Sequence, residues 1–507
     1  MLNLELTADG RSLMASSLYT PEFDEFCALA QRGNLVPVFR EILADLETPV
    51  SAFLKIDAGG DGFLLESVEG TEKWARYSFL GTAPDLAVSS KGNVVRLERP
   101  GRPAAEREVA DPLVAIRELL ARYRPVQVKG LPRFSGGLVG YLSYDLVRFF
   151  EKLPVTATDD LGMPDLHLLL ADTLLIFDNV AHKIKVVAHA HLDEGADLRA
   201  EYDKACAKVE RLIARLQRPV EAPRLLSACE PGPIGSNLTQ EQYEAIVRRA
   251  KEYIVAGDVI QVVLAQRFEC PLRAHPFNIY RCLRAVNPSP YMFFVRMGPH
   301  TLLGASPEVM VRLEGREVTV RPIAGTRPRG TEEKQDSQFE HELVTDPKEI
   351  AEHIMLVDLG RNDVGRVAKI GSVAVTERLV VERYSHVMHL VSNVRGELAD
   401  GLDAFDALRA TFPAGTLTGA PKIRAMEIIE ELEPVRRGVY GGAVGYFDFS
   451  GNMDTCITIR TVQVSGNKVY FGAGAGIVAD SVPEREYAEC VNKARALVQA
   501  VRQAEAM

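Results

Sequence analysis

The chain has 507 residues, 47% hydrophobic and 25% charged, with a net charge of −10 and a pI near 5.6. That length exceeds one ordinary core and suits about three typical units or two larger ones. The balance is that of a soluble globular protein and argues against nucleic acid as the main partner, although a local basic pocket or a bridging cation still lets an acidic protein hold an anion.

The N-terminal run MLNLELTADGRSLMASS has no apolar stretch and is not expected to be a signal peptide. No apolar run reaches the length of about 18 residues that spans a membrane. The cysteines stand singly at Cys27, Cys206, Cys229, Cys270, Cys282, Cys456 and Cys490, none in CxxC spacing. Reduced thiols in a cytoplasmic protein are the expectation.

In chain order, Val50–Ile56, Gly62–Val68, Tyr77–Gly81, Leu166–Phe177 and Lys183–His189 read as strands. A helix is predicted from about Glu194 to Leu216, with Leu198, Tyr202, Ala205, Val209 and Leu212 at helical spacing. Residues 218–237, RPVEAPRLLSACEPGPIGSN, are rich in proline and glycine and read as a linker between residues 20–217 and a second domain, 238–500. Thr239 and Gln242 form a capping-box pattern for a helix that Gly257 stops. Val259–Glu269, Tyr291–Met297, Val309–Leu313 and Val318–Ile323 read as strands, with Glu314-Gly315-Arg316 as a turn between the last two. Helices are predicted at about 347–367, 403–411 and 483–503. Strands in runs and helices in runs predict an α+β fold of antiparallel sheets packed together, with helices on the outside. Gly136–Tyr141 (GGLVGY) and Gly441–Tyr446 (GGAVGY) nearly repeat. They are either two strands that another backbone or a ligand approaches closely, or traces of a duplicated half.

Several segments could carry chemistry. In Arg321–Gly330 (RPIAGTRPRG), Gly325 lets backbone N–H groups approach an anion and Thr326 adds a hydroxyl. Asp346-Pro347-Lys348-Glu349 opens a helix with an aspartate cap, a first-turn proline and Glu349 as a capping residue. Glu352, one turn on, has apolar neighbours and no such explanation. Glu489 is a second helix carboxylate, in a helix whose start reads as a Ser481–Glu484 capping box. It either pairs with Lys493 one turn on or converges with Glu352 on Mg²⁺, which takes one or two carboxylates plus water and substrate oxygens. His389, on the strand face opposite His386, is either a buried hydrogen-bonded histidine or a general base. Thr416–Lys422 (TLTGAPK) is a polar turn before a helix N-terminus and suits an anion, a leaving group or ordinary capping.

Taken in order, these segments resemble the large, chorismate-binding subunit of anthranilate synthase. The matching runs are PIAGTRPRG at 322–330, KEIAEHIMLVDLGRND at 348–363, YSHVMH at 384–389, GTLTGAPK at 415–422, YGGAVGY at 440–446, DTCITIR at 454–460 and GAGIV at 474–478. LLES at 64–67, RYSFLG at 76–81 and GGLVGYLSYD at 136–145 extend the resemblance more loosely to the N-terminal part. It implies that Glu352 and Glu489 hold Mg²⁺ against the ring carboxylate of chorismate. It implies that Tyr440, Arg460, Gly325, Thr326, Lys493 and the backbone of Gly474, Ala475 and Gly476 hold the rest. Arg460 is suited to grip a carboxylate in bidentate fashion. Glu308 corresponds to the acid that protonates the departing ring hydroxyl, His389 to the base that removes the ring proton as pyruvate leaves, and Thr416 to a residue assisting that step.

Aminodeoxychorismate synthase is the nearest alternative. Its family carries a lysine where this chain has Ala324. Isochorismate-forming relatives use a lysine where this chain has Gln261. No cysteine lies in a G-x-C-x-G setting, so a separate glutamine amidotransferase subunit is the expected ammonia source, with two large and two small subunits in the assembly. The resemblance also implies feedback inhibition by L-tryptophan, bound by Glu66 and Ser67 from one side and Pro290, Tyr291 and Met292 from the other.

Overall fold

A computed structural model describes residues 18–68, 76–223, 232–330, 332–384 and 387–507. Cys229, Ser385, His386, residues 1–17 and part of the predicted linker lie outside the described residues.

Two twelve-stranded sheets dominate these residues, and their named ladders are antiparallel. The first runs Leu35–Leu43, Lys183–His191, Thr173–Asp178, Tyr77–Thr82, Gly62–Glu66, Tyr291–Met297, His300–Ser306, Thr461–Ser465, Lys468–Ile477 and Gln261–Pro271, then a short edge. The second runs Ile323–Pro328, Val387–Glu397, Glu317–Val320, Val309–Glu314, Met453–Ile457, Ala443–Asp448, Gly137–Leu142, Leu166–Ala171, Ala87–Lys91, Val94–Glu98 and Ala105–Glu108. Each sheet thus takes strands from before and after residues 218–237. The seam lies between Gly62–Glu66 and Tyr291–Met297 in the first sheet, and between Gly137–Leu142 and Ala443–Asp448 in the second.

Several strands lack polar alternation because both of their faces are buried. In Gly137–Leu142, Val139 and Tyr141 join the core shared by the two sheets, whereas Leu138 and Leu142 join a second core under the outer helices. Helices Leu198–Leu216, Pro276–Val286 and Pro483–Glu505 pack on the first sheet, and Pro347–Gly365 and Ala404–Thr411 on the second. The predicted α+β class of packed antiparallel sheets with outer helices is the one observed.

Four local expectations need correction. Val50–Ile56 is the body of a helix, Pro49–Ile56, because Thr48 and Ser51 close a capping box and Pro49 sits in the first turn. Leu166–Phe177 is two strands in different sheets, Leu166–Ala171 and Thr173–Asp178. Val318–Ile323 is likewise split, and both pieces pair with Val387–Glu397. Ser481 does not cap the last helix, which starts after Val482; the Ser481 hydroxyl instead accepts from Val478 N at 3.1 Å.

The repeated GGxVGY segments pair with each other across the seam, Gly140 opposite Gly445. A Cβ on Gly137 would lie 2.1 Å from Phe447 O, and one on Gly442 would lie 2.1 Å from Leu142 O. Close backbone approach therefore accounts for the glycines.

Candidate active site

Val387–Glu397 and Ile323–Pro328 set the first part of the site. Their register slips between Ala324 and Thr326, leaving Gly325 as the extra residue of a bulge with φ of +68°. A side chain there would meet Leu343 Cδ1 at 2.9 Å and Glu349 Oε2 at 3.0 Å, so only glycine fits without rearrangement. The bulge places Thr326 opposite His389 and points the Gly325 carbonyl at the imidazole. His389 Nδ1 lies 2.9 Å from Gly325 O and 3.1 Å from Thr326 Oγ1. A carbonyl only accepts, so Nδ1 carries the proton and Nε2 keeps its lone pair. Burial, chiefly, lowers the His389 pKa, and Arg460 adds to the effect, so the ring stays neutral. The Tyr384 ring stands edge-on to it, centroids 5.7 Å apart.

The loop is clamped from below. Arg327 donates to Glu349 Oε1 at 2.9 Å and to Asp346 Oδ2 at 2.8 Å. Asp346 also caps the helix Pro347–Gly365 by accepting from Lys348 N and Glu349 N. The expected aspartate cap and first-turn proline are there, but the Glu349 carboxylate belongs to Arg327 rather than to the helix end.

Glu308 follows the strand His300–Ser306, and Thr416 Oγ1 donates to its Oε2 at 3.0 Å. Burial pushes the Glu308 pKa up to about 7, against the pull of Thr416, Arg460 and Lys493. With that value the carboxyl is mostly protonated below neutrality and about half protonated at it, in the fields of Arg460 and Lys493, the pattern of a poised acid. Arg460 adopts a positive φ of +49° at the bend between Met453–Ile457 and Thr461–Ser465. Burial lowers its pKa, and Tyr440, Glu308 and Glu489 offset this in part.

The far wall is the strand Lys468–Ile477. The Tyr440 ring fills the space a Cβ would need at Gly472, and its hydroxyl crowds Gly474. Lys493 Nζ donates to Gly474 O at 2.9 Å and pairs with Glu489 at 2.7 Å. Gly476 lies under Gln261, whose Nε2 donates to Glu352 Oε1 at 3.2 Å. Ala475 is the odd member, for its methyl points into a core cluster with Val262, Leu264 and Cys490 and leaves only backbone for a ligand.

Glu352 and Glu489 come from different helices and sense each other. Burial raises the Glu352 pKa, and the charges of Glu349 and Glu489 add to it. No group of three or more His, Cys, Asp or Glu side chains arranged to hold a metal occurs among the described residues. Glu352 accepts from Gln261 and Glu489 pairs with Lys493; two carboxylates of like charge are a donor set Mg²⁺ can take when water and substrate oxygens complete it. Glu486 was not singled out from the sequence. Burial raises its pKa and it lies in the fields of Glu489, Lys348 and Lys493; its i,i+3 spacing to Glu489 was the available signal.

Glu66, Ser67, Pro290, Tyr291 and Met292 lie apart from this cleft and together line a cavity of about 740 Å³. Met292 sits opposite Glu66 at the seam of the first sheet. The Glu66 carboxylate already holds Tyr280 and Arg284. Tyr291 donates to Asp454 at 2.8 Å, and Arg312 pairs with the same aspartate at 2.7 Å.

The six cysteines among the described residues are free. No helix among those residues is long and apolar enough to cross a membrane.

Comparison with known proteins places this geometry in a family. The family model described as chorismate binding enzyme matches residues 68–499. Anthranilate synthase component 1 of Pseudomonas aeruginosa is 50% identical over 490 residues, covering 95% of this chain and 99% of that one. The protein of that name from Aquifex aeolicus is 48% identical over 487 residues, covering 95% and 98%. The crystal structure of anthranilate synthase component I from Streptococcus pneumoniae superposes with a TM-score of 0.75 at 36% identity, covering 90% of this chain and 98% of that one. The menaquinone-specific isochorismate synthase of Escherichia coli, at 20% identity and a TM-score of 0.69 over 94% and 98% of the two chains, shares the fold. The chain belongs to the chorismate-binding enzymes and, among them, to the family of anthranilate synthase component 1.

Proposed function

We propose that the chain converts chorismate and ammonia to anthranilate and pyruvate, drawing ammonia from glutamine through a separate amidotransferase subunit in an assembly of two large and two small subunits. The observation that carries this reading is an acid whose pKa is raised to about 7, Glu308, and a base held neutral by burial, His389, both in the field of Arg460. Pairs whose environments push their pKa values apart have assigned themselves acid and base roles.

Glu308, steadied by Thr416, protonates the ring hydroxyl as ammonia adds to the ring. His389 Nε2 then takes the ring proton as pyruvate leaves, and aromaticity drives the elimination. Arg460, Lys493, Tyr440 and the backbone of Gly325, Thr326 and 474–476 hold the two carboxylates of the substrate. Glu352 and Glu489 would hold Mg²⁺, which supplies charge to fix the ring carboxylate and withdraw electron density. We also place L-tryptophan, as an inhibitor, in the cavity between the sheets.

The aminodeoxychorismate alternative needs a lysine nucleophile. The corresponding position is Ala324, a buried strand residue opposite Leu390, and an alanine forms no covalent adduct.

The test is turnover of chorismate with Mg²⁺ and ammonium, followed by anthranilate fluorescence. The purified chain is expected to use ammonium at elevated pH and to ignore glutamine. An aminodeoxychorismate or isochorismate product overturns the reading, and glutamine-dependent activity without a partner overturns the two-subunit part.

A further inference from the structure

A second, smaller cavity, of about 50 Å³, adjoins Glu308. Glu308 and Thr416 line it, and so do Asp363 and Thr411. One water needs about 10–15 Å³ of such space, so the chamber accommodates a short file of waters between the two carboxyl groups. Asp363 comes from the last turn of Pro347–Gly365, and Lys422 opens the helix Lys422–Leu432. Lys422 Nζ donates to Asp363 Oδ2 at 2.7 Å and to Thr411 O at 2.9 Å. Both side chains are only 9% exposed. Burial raises the Asp363 pKa and lowers that of Lys422, which brings the two groups closer to sharing a proton. Arg366 and Glu151, whose charges act on Lys422, lie 3.7 Å apart, with the arginine side chain 48% exposed. A buried ion pair is weak evidence for stability, because desolvation offsets its attraction. This one borders the cavity beside the acid, which Asp363 lines.

We propose that this chamber reloads Glu308 with a proton after each amination, with Asp363 and Lys422 as its far end. The inference rests on the reading of Glu308 as the acid. In that step the ammonia lone pair forms the C–N bond, and the C–O electrons leave with the ring oxygen. Glu308 supplies the proton that makes the leaving group water, and the new ring ammonium sheds a proton to solvent. Glu308 is left as a carboxylate. The Lys422 ammonium then gives a proton to Asp363, which passes one through water to Glu308. Lys422 recovers a proton from bulk water beside Arg366 and Glu151. Asp363 and Lys422 touch no substrate and act only through Glu308.

Two variants separate this role from simple packing. Asp363→Asn keeps the shape and removes the transferable charge. Lys422→Arg keeps the ion pair but holds its proton too tightly to pass it on. Each is equilibrated near pH 6, where Glu308 starts loaded, then mixed with chorismate, Mg²⁺ and ammonium. Rapid quench compares the first turnover with the steady state. In both variants the first turnover is expected within about twofold of wild type, while the steady-state rate falls by about tenfold or more. The result is a burst of one product per site that wild type lacks. Equal loss of both rates assigns the pair to structure and overturns the relay, and so does an unchanged steady state. Should Asp363→Asn fail to fold, Lys422→Arg decides alone, because it retains the pair. If wild type forms no anthranilate, the functional reading fails and not the relay.

Discussion

Burial acts on Glu308 and His389 in opposite senses. It favours the neutral form of each, so the acid loses its proton only around pH 7 and the base stays unprotonated below its ordinary value. The two roles coexist in the window between the depressed histidine pKa and about 7. At constant free ammonia, kcat/KM for chorismate is expected to fall above that window as Glu308 ionises. Glu308→Gln should remove that limb and lower kcat/KM by about 10²–10⁴-fold; a retained limb would mean that another group is the acid. The same shift has a cost in stability. The folded-state pKa lies above the unfolded one, so the contribution is full below the unfolded value and is lost as pH rises through about 7. Glu308→Gln should therefore melt higher than wild type at about pH 8, with the difference closing near pH 4. His389→Ala should spare amination and block elimination, so rapid quench should trap the aminated intermediate. Loss of both steps with no intermediate would remove His389 from its role.

At the scale of elements, one aspartate ties a loop to a helix. Asp346 caps Pro347–Gly365 and also holds Arg327 of the Gly325 loop. Asp346→Ala should cost about 1 kcal/mol of stability from the cap, and should raise the Mg²⁺ concentration needed for half-maximal activity, because Glu352 rides on the second turn of that helix. A stability loss with unchanged Mg²⁺ dependence would separate the two. This cap was legible in the sequence as Asp-Pro-Lys-Glu, and most strands were legible as apolar runs. Val50–Ile56 misled because its valine, phenylalanine and isoleucine fit a strand, while the decisive signal, Thr48-Pro49 with Ser51, lay at its edge. The break at Asp172 was invisible because strand propensity runs through it, and only the switch between sheets reveals it. The motifs identified His389, but its tautomer depends on the Gly325 carbonyl, which is set by a bulge that no local pattern announces. Asp363 and Lys422 are 59 residues apart, and only the tertiary fold brings them together.

At the scale of the molecule, both seams bind the halves of the chain through ordinary ladder hydrogen bonds. The cavity proposed for tryptophan sits on the first seam, so a ligand there touches both halves and biases how they sit. Inhibition requires different affinity for the active and inactive arrangements. Ser67→Phe should obstruct the Glu66 end of the cavity and give an active enzyme that neither binds tryptophan by calorimetry nor is inhibited by it. Wild type that ignores tryptophan would sink the proposal. The seams also bear on how the protein is made. Gly62–Glu66 and Gly137–Leu142 end the first half of each sheet, and their partners are Tyr291–Met297 and Ala443–Asp448. A nascent chain that has released its first 217 residues presents two naked, apolar strand edges to the cell. At about 5–20 residues per second the ribosome needs roughly 10–50 s more to deliver the last partner. Open edges of this kind recruit other chains, so the N-terminal half expressed alone should aggregate, and synthesis of the whole protein should depend on chaperones that shield those edges until the C-terminal strands arrive.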